Sequence, residues 1–146
     1  MKLLLDNVFD PGIKDYLLTQ KGVENLSIIN KDFISEVDIT YNREITPRII
    51  LKHIELYQNE QIPILIGYNK NTNYKTKKLK YIVEDMCCEY CYKGFVTDLF
   101  INENIKSVKS NFDFNQPAFN IEFFIEYNEN YTEEELKKYI KEKYSN

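Results

Sequence analysis

The sequence predicts an α/β fold with an α+β tendency at the C-terminus: one mixed β-sheet containing a βαβ unit, packed by about four helices. The 146 residues suit a single domain, 1–146, with a core of its own. Three observations carry this expectation. Ile62–Tyr68 (IPILIGY) is almost wholly apolar, as an interior strand buried on both faces would be. Within Tyr74–Phe95, the residues Leu79, Ile82, Val83, Met86, Cys87, Tyr90 and Cys91 recur at i, i+3, i+4, i+7, i+8, i+11 and i+12, one face of a helix. Phe119, Ile121, Phe123, Ile125 and Tyr127 alternate with more polar neighbours, the period of a half-buried strand.

In chain order, Lys2–Leu5 reads as a short buried strand ended by Asp6 and Asn7. Pro11 can open a helix, where its missing N–H costs nothing, and Ile13, Tyr16, Leu17 and Gln20 continue it to Gly22. Leu26–Asn30 and Val37–Tyr41 read as strands. Thr46-Pro47 marks a helix start, with Ile50, Leu51, Ile54 and Tyr57 as its apolar face through about Asn59. Pro63 lacks an amide donor and belongs at the beginning of its strand or beside an edge.

After a loop over Asn69–Asn73, the Tyr74–Phe95 helix is expected to end at Gly94 as a C-cap, and Phe95–Ile101 to form a strand. A right-handed βαβ crossover would then join Ile62–Tyr68 to Phe95–Ile101. Asn102-Glu103-Asn104 resembles a hairpin loop, Ile105–Ser110 a weak strand, and Asn111–Pro117 a polar turn. Thr132 and Glu135 form a capping box for a last helix whose stripe is Leu136, Tyr139, Ile140 and Tyr144.

Composition bounds the function. Hydrophobic residues make up 43%, enough for a packed core. No apolar run nears the roughly 20 residues that span a bilayer. MKLLLDNVFD meets an aspartate after three leucines, too short an apolar run for a signal peptide. The expected location is therefore the cytoplasm of a bacterial host, or a virion, with no membrane contact. Net charge is −4 and the pI about 5.1, which argues against direct contact with a nucleic-acid backbone. The chain holds 17 Lys against 2 Arg, 16 Asn, 18 Ile and a single alanine, Ala118. Lys, Asn and Ile have AT-rich codons and alanine GC-rich ones, so the bias describes a genome: a low-GC bacterium, its phages or mobile elements, or an AT-rich virus.

Several groups bear on chemistry. Cys87, Cys88 and Cys91 are too few and too close for a secreted disulfide framework. A zinc site would need a fourth ligand from His53 or a carboxylate. Cys87 and Cys91 are expected as core thiols and His53, the single histidine, as a boundary residue with its hydrogen bonds met. The four glycines are isolated, so no phosphate-binding loop exists and no cofactor is expected. Asp6 at a strand end and Asp98 inside an expected strand are the carboxylates that a metal-dependent nuclease would use.

The opening MKLLLDN, the helix after Pro11 and the strand after Gly22 resemble small PIN-like nucleases over about the first 30 residues. Only Asp6 matches an expected acidic position; after IPILIGY, Asn69 and Asn71 stand where a further acid would be. YLLTQKG (Tyr16–Gly22) and Ile105–Tyr127 resemble segments of phage baseplate proteins, with a long insert between them that departs from that pattern.

The leading expectation is a non-enzymatic binding or assembly protein of a phage or mobile element, a structural adaptor of tail, neck or baseplate type. Its partner would be another protein, by self- or hetero-assembly. Candidate contact residues are the aromatics Phe124, Tyr127, Tyr139 and Tyr144 and the cations Lys75, Lys77 and Lys78, taken as the first turns of the Tyr74–Phe95 helix. The alternatives are an inhibitor or immunity protein that blocks a nucleic-acid-processing enzyme through its acidic surface, and a nuclease built on Asp6.

Overall fold

The computed structural model describes residues 1–6, 12–31, 34–57, 65–86, 89–112 and 119–144. Among these, seven strands form one sheet and four helices pack on it, with 34% helix and 43% strand. The α/β class and the single sheet under four helices are as the sequence predicts.

The strands are β1 (Lys2–Asp6), β2 (Val23–Lys31), β3 (Ile34–Tyr41), β4 (Leu65–Asn69), β5 (Thr76–Asp85), β6 (Ile105–Ser110) and β7 (Phe119–Asn128). The helices are α1 (Gly12–Leu18), α2 (Pro47–Tyr57), α3 (Glu89–Phe100) and α4 (Glu133–Tyr144). The sheet order is β2-β3-β1-β4-β6-β7-β5. Every ladder is antiparallel. The expected βαβ crossover is therefore not present.

The cause lies in Tyr74–Phe95. That stretch divides into strand β5 and the start of α3, and Phe95–Ile101 belongs to α3 and its exit rather than to a strand. Leu79 and Val83 fit a helical stripe, but they also alternate with Tyr81 between them. Leu79, Tyr81 and Val83 turn inward while Lys78, Lys80, Ile82 and Glu84 are exposed. Tyr, Ile and Val at 81–83 favour the pleated conformation. A complementary strand, β7, is there to receive them, in a register that runs unbroken from Thr76↔Asn128 to Val83↔Ile121. The true helical period begins later: Tyr92, Phe95, Val96, Leu99 and Phe100 are all buried, at i, i+3, i+4, i+7 and i+8. Gly94 is in mid-helix, not at its end.

The other elements form where local signals place them. Thr46 caps α2, its Oγ1 accepting from Ile49 N–H at 3.3 Å. The capping box of α4 closes reciprocally, with Glu135 N–H to Thr132 Oγ1 at 3.0 Å and Thr132 N–H to Glu135 Oε2 at 3.4 Å. α1 stops at Leu18, short of Gly22, which turns the chain into β2 with φ +100°. Pro11, Asn59 and the Ile62–Ile64 part of the expected strand, with Pro63, lie outside the described residues.

All four helices cover one face. Residues directly opposite in an antiparallel ladder share a face, and the pairings Ile28↔Val37↔Leu3↔Tyr68↔Val108↔Ile125↔Leu79 carry one inner row across the whole sheet. The inner residues Leu3, Leu5, Ile39, Ile105 and Phe123 are buried in one core with Ile13, Leu17, Ile50, Ile54, Leu136 and Ile140 of the helices. The alternate row, including Lys2, Asp38, Thr40, Ile82 and Phe124, is exposed.

The two halves of the sheet meet at a narrow seam. Among the described residues, β4 and β6 pair through Tyr68↔Val108 and Asn69↔Ser107 alone, extended by Lys70 N–H to Lys106 O at 2.8 Å. Side chains reinforce it. The Tyr92 hydroxyl donates to Ile66 O at 2.8 Å and pairs with Ser110 Oγ, tying α3 to both β4 and β6. The buried Lys70 ammonium donates to Phe100 O at 2.9 Å and Asn102 O at 3.0 Å, capping the C-terminal carbonyls of α3. It also lies 5.5 Å from the Tyr68 ring centroid and 5.2 Å from that of Phe100. Burial pushes its pKa down to about 8, with Glu103 acting in the opposite sense.

A Cβ at Gly94 would meet nothing within 4 Å, so Gly94→Ala is expected to stabilise the protein by about 0.5–1 kcal/mol. At Gly22, with φ +100°, a Cβ would lie 2.8 Å from Ile45 Cγ2, so Gly22→Ala is expected to destabilise it. Urea denaturation midpoints of the two variants should move in opposite directions.

Lys70→Met removes the donor from two carbonyls, at an expected cost of about 1–3 kcal/mol near neutrality. The folded pKa of Lys70 lies below its ordinary 10.5, so between about 8 and 10.5 the unfolded chain binds more protons. Wild-type stability should therefore rise with pH through that window relative to Lys70→Met, as read by paired urea titrations.

Candidate interaction surface

The open face of the sheet is most distinctive over β6, β7 and β5. Along β7, Ile121, Phe123, Ile125 and Tyr127 turn into the core, so Glu122, Phe124 and Glu126 turn outward. Phe124 is opposite Lys80 on β5 and Lys109 on β6, and Ile82 is opposite Glu122. Phe124 and Ile82 are thus diagonal neighbours on adjacent strands. They are 47% and 50% exposed, and together they form an apolar centre among the charged and polar outward residues of β5, β6 and β7.

Charged and polar groups pair around that centre. Lys80 Nζ lies 3.0 Å from Glu122 Oε1, and Thr76 Oγ1 donates to Glu126 Oε2 at 2.6 Å. Half-exposed pairs of this kind add about 0–1 kcal/mol and mainly fix side-chain positions. An apolar centre inside a rim of alternating charge is the anatomy of a protein contact surface. Lys80 and Glu122 are held by one another and Glu126 by a hydroxyl, and Lys78, Lys80 and Lys109 balance Glu84, Glu122 and Glu126, which leaves little net field for a polyanion.

The residues singled out from the sequence scatter. Phe124, an apolar residue among the outward-facing positions of the interior strand β7, is on this surface. Lys78 is outward on β5, opposite Glu126. Lys77 is exposed and pairs with Tyr127 on the helix-bearing face, and Lys75 precedes β5, its carbonyl accepting from Glu129 N–H at 2.9 Å. None of the three is on a helix, contrary to expectation, because the Tyr74–Phe95 segment pairs with β7. Tyr127 is a core residue at 3% exposure. Tyr139 is half-buried, its hydroxyl donating to Asp98 O at 2.5 Å and so docking α4 on α3. Burial, then Asp98 and Tyr131, push the Tyr139 phenol up to about 12. Neither Tyr127 nor Tyr139 is a free contact residue. The side chain of Tyr144 lies outside the described residues.

The two carboxylates are on different elements. Asp6 ends β1 opposite Ile34, its side chain outside the described residues. Asp98 is on helix α3 rather than in a strand, and burial raises its pKa while Lys143 lowers it. Among the described residues, no three of His, Cys, Asp and Glu gather as metal ligands would. His53 is half-buried, with Nδ1 3.4 Å from the Tyr16 hydroxyl, the satisfied boundary position expected of it. Cys91 is not a free core thiol: it is half-buried in the first turn of α3 and disulfide-bonded. Cys87 and Cys88 lie outside the described residues.

Ile82, Lys80 and Lys109 are the surface residues that sequence reasoning missed. The signal for the first two was the alternation of Leu79, Tyr81 and Val83 against Lys78, Lys80, Ile82 and Glu84. Compared with protein-family models, curated proteins and solved structures, the chain matches none.

Adjacent phenylalanines on opposite faces give a direct check. Phe123, fully buried, should cost about 3–5 kcal/mol when changed to Ala. Phe124→Ser should change stability by less than about 1 kcal/mol. Thermal or urea unfolding of the two variants tests the assignment of faces.

Proposed function

We propose that this chain is a non-enzymatic binding and assembly protein that acts through protein–protein contacts on the open face of β6, β7 and β5. The observation that carries this reading is the exposed Phe124–Ile82 pair on a sheet whose other face is covered by helices. Exposed apolar residues scattered singly are ordinary, but two large ones adjacent on a rigid face, rimmed by alternating charges, favour a docking surface. Most of the cost of ordering a binding site is already met, because both residues project from paired strands rather than loops.

The source that fits is a phage or mobile genetic element, with the protein as a structural adaptor of tail, neck or baseplate type. Support comes from the AT-rich residue bias and the acidic balance of 23 acids against 19 bases. Genes for capsid or tail components beside this one would support the adaptor reading; a toxin or nuclease beside it would favour an inhibitor instead.

The expected outcome of affinity capture from the producing cells is a stoichiometric protein partner. A Phe124→Ser/Ile82→Ser double variant of unchanged circular dichroism should lose it, by at least about ten-fold in affinity. Equal capture by both proteins would remove this surface from consideration.

A further inference from the structure

The sheet ends at β5, and its last edge has a self-complementary pattern. Among the described residues β5 pairs with β7 alone. Which of its backbone groups face outward follows from the register. Glu129 N–H bonds to Lys75 O, which places Lys75 and Glu129 at a hydrogen-bonding position of the ladder, and every second residue after them takes the same position. Lys77, Leu79, Tyr81 and Val83 therefore direct N–H and C=O toward β7. Thr76, Lys78, Lys80, Ile82 and Glu84 direct theirs to the free edge. The far side of β7 agrees: Glu122, of the opposite parity to the residues bonded to β5, accepts from Asn111 N–H toward β6.

We propose that β5 is the dimer edge of this protein: the β5 strands of two copies pair antiparallel about a two-fold axis at Tyr81, joining two sheets into one. A two-fold axis perpendicular to the sheet keeps both helical layers on the same side. Residues directly opposite must then share a face, so only registers with an even residue sum are allowed.

Charge selects among them. A two-fold at Lys80 sets Lys80 against its own copy, and a two-fold at Leu79 sets Lys78 against Lys80, both repulsive. A two-fold at Ile82 pairs Glu84 with Lys80, which Glu122 already holds at 3.0 Å, and shortens the overlap. The two-fold at Tyr81 sets Lys78 against Glu84 on the exposed face, twice by symmetry, and Leu79 against Val83 on the inner face. Lys78 and Glu84 are both exposed and outward-bonding. Lys78↔Glu84 and Lys80↔Ile82 then become the narrow pairs, giving about eight backbone hydrogen bonds across the axis. Lysines on an edge strand ordinarily repel other strands. Here the basic half of one edge meets the acidic end of the other, which makes the same lysines a register device.

This edge shares Ile82 with the Phe124–Ile82 centre but not Phe124, which is on β7, so Phe124→Ser separates the two by experiment. Sedimentation equilibrium at low salt should show a dimer for the wild type and for Phe124→Ser. Lys78→Glu and Glu84→Lys each replace two attractive contacts by two repulsive ones and should weaken the dimer by about ten-fold or more. The double variant Lys78→Glu/Glu84→Lys restores both pairs in reverse and should recover the wild-type dissociation constant to within about three-fold. Raising the salt should loosen the wild-type dimer. Circular dichroism of each variant confirms that its fold is retained. A wild-type monomer at high concentration overturns the proposal, as do single variants that dimerise normally or a double variant as weak as either single one.

Discussion

The β4–β6 seam is the constraint on which the rest of the structure depends. Two half-sheets, β2-β3-β1-β4 and β6-β7-β5, are joined by a ladder of two residue pairs and one further amide bond. So short a ladder cannot set the relative position of the halves unaided. Tyr92 and Lys70 supply the missing constraint by binding backbone groups of α3, β4 and the turn into β6. Gly67 belongs to the same design. A Cβ there would sit 3.2 Å from Val108 O, so a larger residue would press on the carbonyl at the seam.

The inner row of side chains runs unbroken across that seam, and this is why one core serves both halves. α1 and α2 cover one end and α3 and α4 the other, with Tyr68 against Phe100 (4.9 Å between centroids) near the junction. The consequence for function is a one-sided protein. Among the described residues, its helical layer carries the stability, and its other face and its two sheet edges are what remain for contacts.

Much of this was legible in the residues. Period two in β7, the caps of α2 and α4, and the apolar run of β4 each needed only neighbours within a few positions. Lys78–Val83 was harder, because a strand with Ile82 on its outer face imitates a helical stripe. Only pairing with β7 makes the outward Ile82 tolerable, and pairing is a contact between residues about forty positions apart. The same error hid half of the contact surface. Phe124 stood out as an apolar break in a polar row, whereas Ile82 passed for a core residue. Tyr127 and Tyr139 misled for a related reason: a tyrosine looks the same in sequence whether its hydroxyl meets solvent or a buried carbonyl.

By itself the sequence determined the fold class, the apolar content of the core, the capping of two helices and the alternation that gives β7 two unlike faces. These follow from local sterics and from the periods of helix and strand, which each segment carries within it. Only the tertiary structure decided that every ladder is antiparallel, that Thr76–Asp85 is an edge strand, and that Phe124 and Ile82 are neighbours. Those outcomes rest on long-range hydrogen bonding and on which strand finds a partner. The energy of those contacts resides in pairs of segments, not in either one alone.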